Sequence, residues 1–282
     1  MVFLQIITSL FFFSSSISCV DYNKKESKND IAMQTLKDNN IYDSVVIGEQ
    51  IWMINNLDVS VFRNGDTIFQ AKTNEEWINA TKNKIPAWCY YNNNEINQIT
   101  NAEELAQSMV EFREKNWHEE VPYDTSELTI EKAREFYQKQ NKSIIDCRKL
   151  YNWYAINDPR GIAPEGWTIP TRDDFDQLVK HYGNPWRENF TLEFINKYWG
   201  GVNVNGFNAC PCGRRLYNGN FEGLLSEAVF WTKTSKDNNN AFALVIFPLG
   251  GGGVAGDDFT NGVNTDYYSN KGNGFSVRCI KK

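Results

Sequence analysis

Residues 149–177 read KLYNWYAINDPRGIAPEGWTIPTRDDFDQ, and residues 273–282 read NGFSVRCIKK. No other part of the sequence constrains the fold as strongly. The first segment sets Tyr151, Trp153, Tyr154 and Trp167 around three prolines and ends in a helix start. Thr171 is an N-cap for RDDFDQLVKHY, with Asp173 and Asp174 in the first turn, where the helix dipole favours carboxylates. Phe175, Leu178, Val179 and Tyr182 then share one face. The second segment alternates as a strand.

The rest of the chain divides by composition. Residues 42–57 read as a hairpin, DSVVIG followed by QIWMINN, turning near Gly48 and Glu49. Arg63 to Asp66 make a turn, and residues 87–91 a short aromatic strand. Residues 101–142 change character. Thr100 and Glu103 fit a capping box, Leu105, Met109 and Phe112 recur at helical spacing, and residues 131–140 repeat the theme. A helical insertion at about 100–144 is expected. The C-terminal third is strand and loop, with Asn218-Gly219, Asn261-Gly262 and Asn273-Gly274 as hairpin turns.

A chain of 282 residues suits one large or two small domains. A net charge of -6 offers no basic face, so nucleic acid is excluded as a partner. Residues 2–13 form an apolar run of signal-peptide length, too short to span a membrane. No Lys or Arg precedes it. Small residues and Cys19 follow, so two processing routes fit. Cleavage after Ser18 can be ordinary secretion, or it can leave Cys19 as a lipidated first residue. The second is preferred, because a cysteine stands where the thioether forms. The expected order is a signal peptide at 1–18, a polar tether at 19–41 and a domain at 42–282.

The ordered segments SVVIGEQIWMINNLDV, FRNGD, AWCYYNN, KLYNWYAINDPRG, APEGWTIPT, GFNACPCGRR, FWTKT and GFSVRC resemble the Fibrobacter succinogenes major paralogous domain of exported bacterial proteins. The resemblance covers residues 42–99 and 145–282. It departs from the family pattern at the insertion and at Cys210-Pro211-Cys212. A weaker similarity extends to formylglycine-generating enzymes and C-type lectin-like domains. It implies an α+β, C-type lectin-like fold with twisted antiparallel strands, two helices, long loops and binding in the loops before the last strand. Members are mostly of unknown activity.

Cys210 and Cys212 lack the C-x-x-C spacing of a redox pair, and His118 and His181 are the only histidines available for zinc. Five cysteines follow Cys19, an odd number, and Cys89 with Cys279 is the expected disulfide. Asp257, Asp258, Asn261 and Asp266 could hold calcium on a flexible loop, although their spacing matches no EF-hand and solvated turn residues are the preferred reading. No other cofactor is expected. Trp231, Asp257, Asp258, Tyr267 and Tyr268 are the candidate ligand contacts, since rings beside polar groups grip sugars and peptides. Core packing is an equal reading for Trp231. Tyr267 and Tyr268 are adjacent, so in a strand one must face outward. The expected protein is a lipid-anchored bacterial surface or outer-membrane module that binds glycan or protein without catalysis. A metal-dependent oxidase-like enzyme and a purely structural envelope protein are the alternatives.

Overall fold

A computed structural model describes residues 42–93, 147–183, 206–224, 226–247 and 262–282. The hairpin is formed by β1 (Ser44–Ile47) and β2 (Gln50–Met53), paired from Ser44↔Met53 to Ile47↔Gln50. Gly48 takes a positive φ of 61° at its turn, a conformation that costs a β-carbon little only when none is present. Two late-paired segments complete this sheet. Strand β14 (Ile280–Lys281) inserts between β2 and β6 (Trp167–Thr168), giving the order β1-β2-β14-β6.

A second sheet holds β9 (Ala228–Ser235), β10 (Asn240–Ile246), β11 (Val263–Asn264) and β12 (Tyr268–Asn270), with β10 paired to all three others. The third runs β3-β4-β5-β13-β7-β8. Its strands are β3 (Phe69–Gln70), β4 (Ala87–Cys89), β5 (Leu150–Asn152), β7 (Cys212–Arg215), β8 (Phe221–Leu224) and β13 (Gly274–Phe275).

The β9–β10 hairpin is the wall between two hydrophobic cores. Val229, Trp231, Ala241, Ala243 and Val245 face one cluster with Met53, Tyr151, Trp167, Phe275 and Cys279. Ala228, Phe230, Leu244 and Ile246 face the other, with Trp52, Phe175 and Phe207. Side chains alternate across a strand, so two apolar faces require a run that is apolar throughout, and AVFW and ALVI supply it. Each fully buried large side chain contributes roughly 1.5–3 kcal/mol.

Three short helices pack on the sheets: α1 (Asn74–Lys82), α2 (Trp153–Ile156) and α3 (Arg172–His181). Thr171 caps α3 as expected. Its Oγ1 accepts from the Asp174 amide at 3.1 Å, and the Asp174 carboxylate accepts from the Thr171 amide at 2.7 Å. Phe175 then stacks on Trp52 at 5.1 Å and 18°. Thr73 and Glu76 form the same box on α1, a helix that the sequence analysis did not assign.

The expected α+β, C-type lectin-like domain with two helices is overturned. Among the described residues the fold is mostly β, with three sheets, fourteen strands and three short helices. Strands of two residues, such as β6 and β14, carry no readable period, so their share of the fold was underestimated. The helical insertion at 100–144 lies outside the described residues, as do the signal peptide and the tether.

Two arginines are buried with no carboxylate paired to them among the described residues. Arg278 is 1% exposed and lies over Phe207 and Phe230. It donates to Asn56 Oδ1 and to the carbonyls of Met53 and Phe207, and burial lowers its pKa to about 10. Arg215 lies over Trp77 and Phe221 and donates to the carbonyls of Ala71, Thr73 and Gly219. A delocalised guanidinium on aromatic faces is the cation least costly to dehydrate.

Candidate functional site

The segment before and within β12 separates its two tyrosines, as strand alternation requires. Tyr268 points outward and is 47% exposed. It pairs across the ladder with Phe242, their rings edge-on at 6.3 Å. The Lys236 ammonium lies over the Tyr268 ring, and the Arg172 guanidinium lies over Phe242 at 4.9 Å. Arg172 also forms an ion pair with exposed Asp266. Arg172 opens α3, and its amide donates to Thr234 Oγ1 on β9 at 3.0 Å. The helix start and the hairpin together build an outward strip of two rings flanked by two cations and a carboxylate. Such a strip offers stacking and charged hydrogen bonding to the same ligand.

Tyr267 faces the other way. Its ring packs near Phe275, and its hydroxyl accepts from Arg214 Nη1 at 2.7 Å. Arg214 Nε lies 2.9 Å from Glu227 Oε1 and 3.9 Å from Glu222 Oε2. The Glu227 side chain is 3% exposed, whereas that of Glu222 is 50% exposed. Burial pushes the Glu227 carboxyl up to about 7, against the attraction of Arg214 and with a small further push from Glu222. Gly223, at a φ of 73°, makes room for this carboxyl, since a β-carbon there would overlap Glu227 Oε1. Tyr91 closes the cluster, its phenol pushed up to about 12 by burial.

The other expected residues are placed as follows. Of the two readings open for Trp231, core packing holds and ligand contact is corrected: it is fully buried, lies against Phe275 at 4.2 Å and donates from Nε1 to the Tyr151 carbonyl at 2.9 Å. Packed from both sides, it has no face for a ligand. Asp257, Asp258 and Asn261 lie outside the described residues, as do Cys19 and His118, and Asp266 is engaged with Arg172. Among the described residues no three His, Cys, Asp or Glu side chains are grouped for a metal ion. Cys89 and Cys279 are unbridged and sit in separate clusters, the first beside Trp77 and Leu150, the second beside Val277 and Met53. Burial raises their thiols to about 11 and about 12, so neither is a nucleophile at neutral pH.

Cys212 is buried beside Asn56, and Cys210 is half-buried, with its Sγ 3.6 Å from the Asn208 carbonyl. His181 ends α3 against Gly48.

Arg214 and Glu227 were missed in the sequence. The available signal was a glutamate directly before the apolar run AVFW, where a charge is out of place unless paired.

Searches of the curated proteins and of the solved structures each returned no match. A family model, the Fibrobacter succinogenes major domain, matches residues 45–281. That match takes in all three sheets and the segments that build both faces of the tyrosine pair, and the chain belongs to the Fibrobacter succinogenes major domain family.

Proposed function

We propose that this chain is an exported, lipid-anchored protein of the bacterial surface, with Cys19 carrying the lipid and residues 42–282 forming a non-catalytic binding or adhesion domain for glycan or protein. The observation that supports binding is the outward strip at β12. Among the described residues, Tyr268 is one of few large rings left exposed, whereas Trp52, Trp77, Trp167 and Trp231 are buried. It stands beside Phe242, Arg172, Lys236 and Asp266. Hot spots in recognition surfaces favour such combinations of aromatic ring and arginine. Asp257 and Asp258, which lie outside the described residues, are kept as proposed contacts of the same ligand.

The test of binding is a glycan array and a panel of surface proteins probed with the full chain in detergent, wild type against Tyr268→Ala. Loss of a hot-spot ring contributes about 2 kcal/mol, or roughly thirtyfold in affinity. Equal binding by Tyr268→Ala and by Arg172→Ala would remove this face from the proposal. The anchor is tested by labelled fatty acid, which should enter the wild type and not Cys19→Ala.

A further inference from the structure

The Tyr267–Arg214–Glu227 chain crosses three parts of the fold. Glu227 stands at the head of β9, Arg214 lies on β7 and Tyr267 immediately precedes β12. One guanidinium therefore ties the start of the central wall to the start of an edge strand. The tie is local at both ends. The Glu227 amide donates to the Gly223 carbonyl, and its own carbonyl accepts from the Gly213 amide, both at 3.0 Å. The Tyr267 carbonyl accepts from the Ala243 amide on β10 at 2.9 Å.

We propose that Arg214 is a proton-controlled clasp between Glu227 and Tyr267, and that protonation of Glu227 opens it. The ionised carboxylate and the guanidinium attract strongly because little water reaches Glu227. That attraction aims Nη1 at the Tyr267 hydroxyl. A proton on Glu227 removes the buried counter-charge. The remaining carboxylate facing Arg214 is Glu222, farther away and half in solvent, so the guanidinium turns outward. The Tyr267 hydroxyl then keeps its 3.4 Å hydrogen bond to Ser269 Oγ.

The groups facing Glu227 are Arg214 from β7, Glu222 from β8, Tyr91 from the turn at Tyr91–Asn93, and Tyr267 across the guanidinium. The Tyr91 phenol is protonated throughout the neutral range, and Glu222, half in solvent, adds only a secondary push, so Glu227 is the member that titrates there. The clasp does not depend on which ligand the outer strip takes.

Amide hydrogen exchange on the full chain tests this without any ligand. After correction for intrinsic rates, residues 263–270 should exchange about tenfold faster near pH 6 than near pH 8 in the wild type. Glu227→Gln mimics the protonated acid and should exchange fast at both values. Glu222→Gln should keep the step. Tyr267→Phe retains the ion pair but not the tether, so its exchange should be fast and without a step. Wild-type protection that ignores pH, or a step that survives in Glu227→Gln, overturns the clasp. If Glu227→Gln does not fold, Tyr267→Phe decides: a surviving step there overturns it. No ligand enters the measurement, so this result and the binding result stand or fall separately.

Discussion

Arg278 and Asn56 are joined by two hydrogen bonds to a single oxygen: Nε reaches Asn56 Oδ1 at 3.2 Å and Nη2 reaches it at 2.6 Å. The amide nitrogen of Asn56 donates to Ser276 Oγ at 3.2 Å and to the Cys147 carbonyl at 3.4 Å. One neutral side chain thus replaces part of the water lost by a buried guanidinium and ties three distant stretches of chain together, while its backbone carbonyl accepts from Arg148 Nη1 at 3.2 Å. Asn56→Ala should therefore destabilise the fold by about 3 kcal/mol, the cost of leaving a buried charge short of acceptors. Urea unfolding measures it. A loss below about 0.5 kcal/mol would mean that water replaces the amide.

The Glu227 carboxyl gives a stability slope of unusual sign for an acid. Its folded pKa, about 7, lies above its ordinary 4.5. The folded state therefore holds the proton more tightly than the unfolded state. The stabilisation is fully present below pH 4.5 and is lost as pH rises toward 7, with a slope of at most about 1.4 kcal/mol per pH unit. Asp66, Asp158 and Asp237, held low by their hydrogen bonds, act with the opposite sign at lower pH. The difference between wild type and Glu227→Gln isolates the term. That difference should change across pH 4.5 to 7 and stay flat above it. The global slope and the local clasp run in opposite directions, since protonation favours the fold while loosening Tyr267.

Trp231 and Tyr268 should behave as opposites although both are large rings of one sheet. Trp231→Ala opens a cavity in a fully packed site and should cost about 3–5 kcal/mol. Tyr268→Ala removes a ring that is 47% exposed and should leave the melting temperature within a few degrees of wild type. A pair of thermal melts is enough, and equal losses would show that the outer strip is itself structural.

Gly213 and Gly65 both take positive φ, 59° and 88°. A β-carbon at Gly65 meets nothing within 4 Å, whereas one at Gly213 would overlap the Glu222 carbonyl oxygen. Gly65→Ala then costs only the left-handed backbone, about 1 kcal/mol. Gly213→Ala should cost roughly 3 kcal/mol or more, because backbone must move. Similar values for the two would mean that the β7–β8 hairpin shifts freely.

What the sequence disclosed was local. The β1–β2 hairpin, the Thr171 cap and the alternation of Tyr267 and Tyr268 each depend on residues a few positions apart, and each formed. For Trp231 the sequence left ligand contact and core packing equal, because its neighbours in sequence do not reveal that Phe275 and Tyr151 cover it. The apolar runs of β9 and β10 showed strands but not that each serves two cores. The Thr73–Glu76 box on α1 was visible in TNEE, yet Trp77 and Ala80 are its only buried residues and gave too narrow a stripe. Glu227 before AVFW signalled a paired charge, but its partner Arg214 meets it only through the β7–β8 hairpin, so the pair itself was not legible.

The first sheet has a consequence for how this domain is made. Strand β2 finds its second neighbour only in β14, through Ile280↔Trp52, and Asn56 waits for Arg278 across 222 residues of sequence. Such closure is slow, because the loop entropy must be spent before the contacts return anything. While the polypeptide is still being synthesised, the hairpin of residues 44–53 stands with one edge open and Trp52 without its final cover. A chain cut before residue 278 should therefore be found by chaperones and proteases, and the domain commits to its native state only when that closing segment docks.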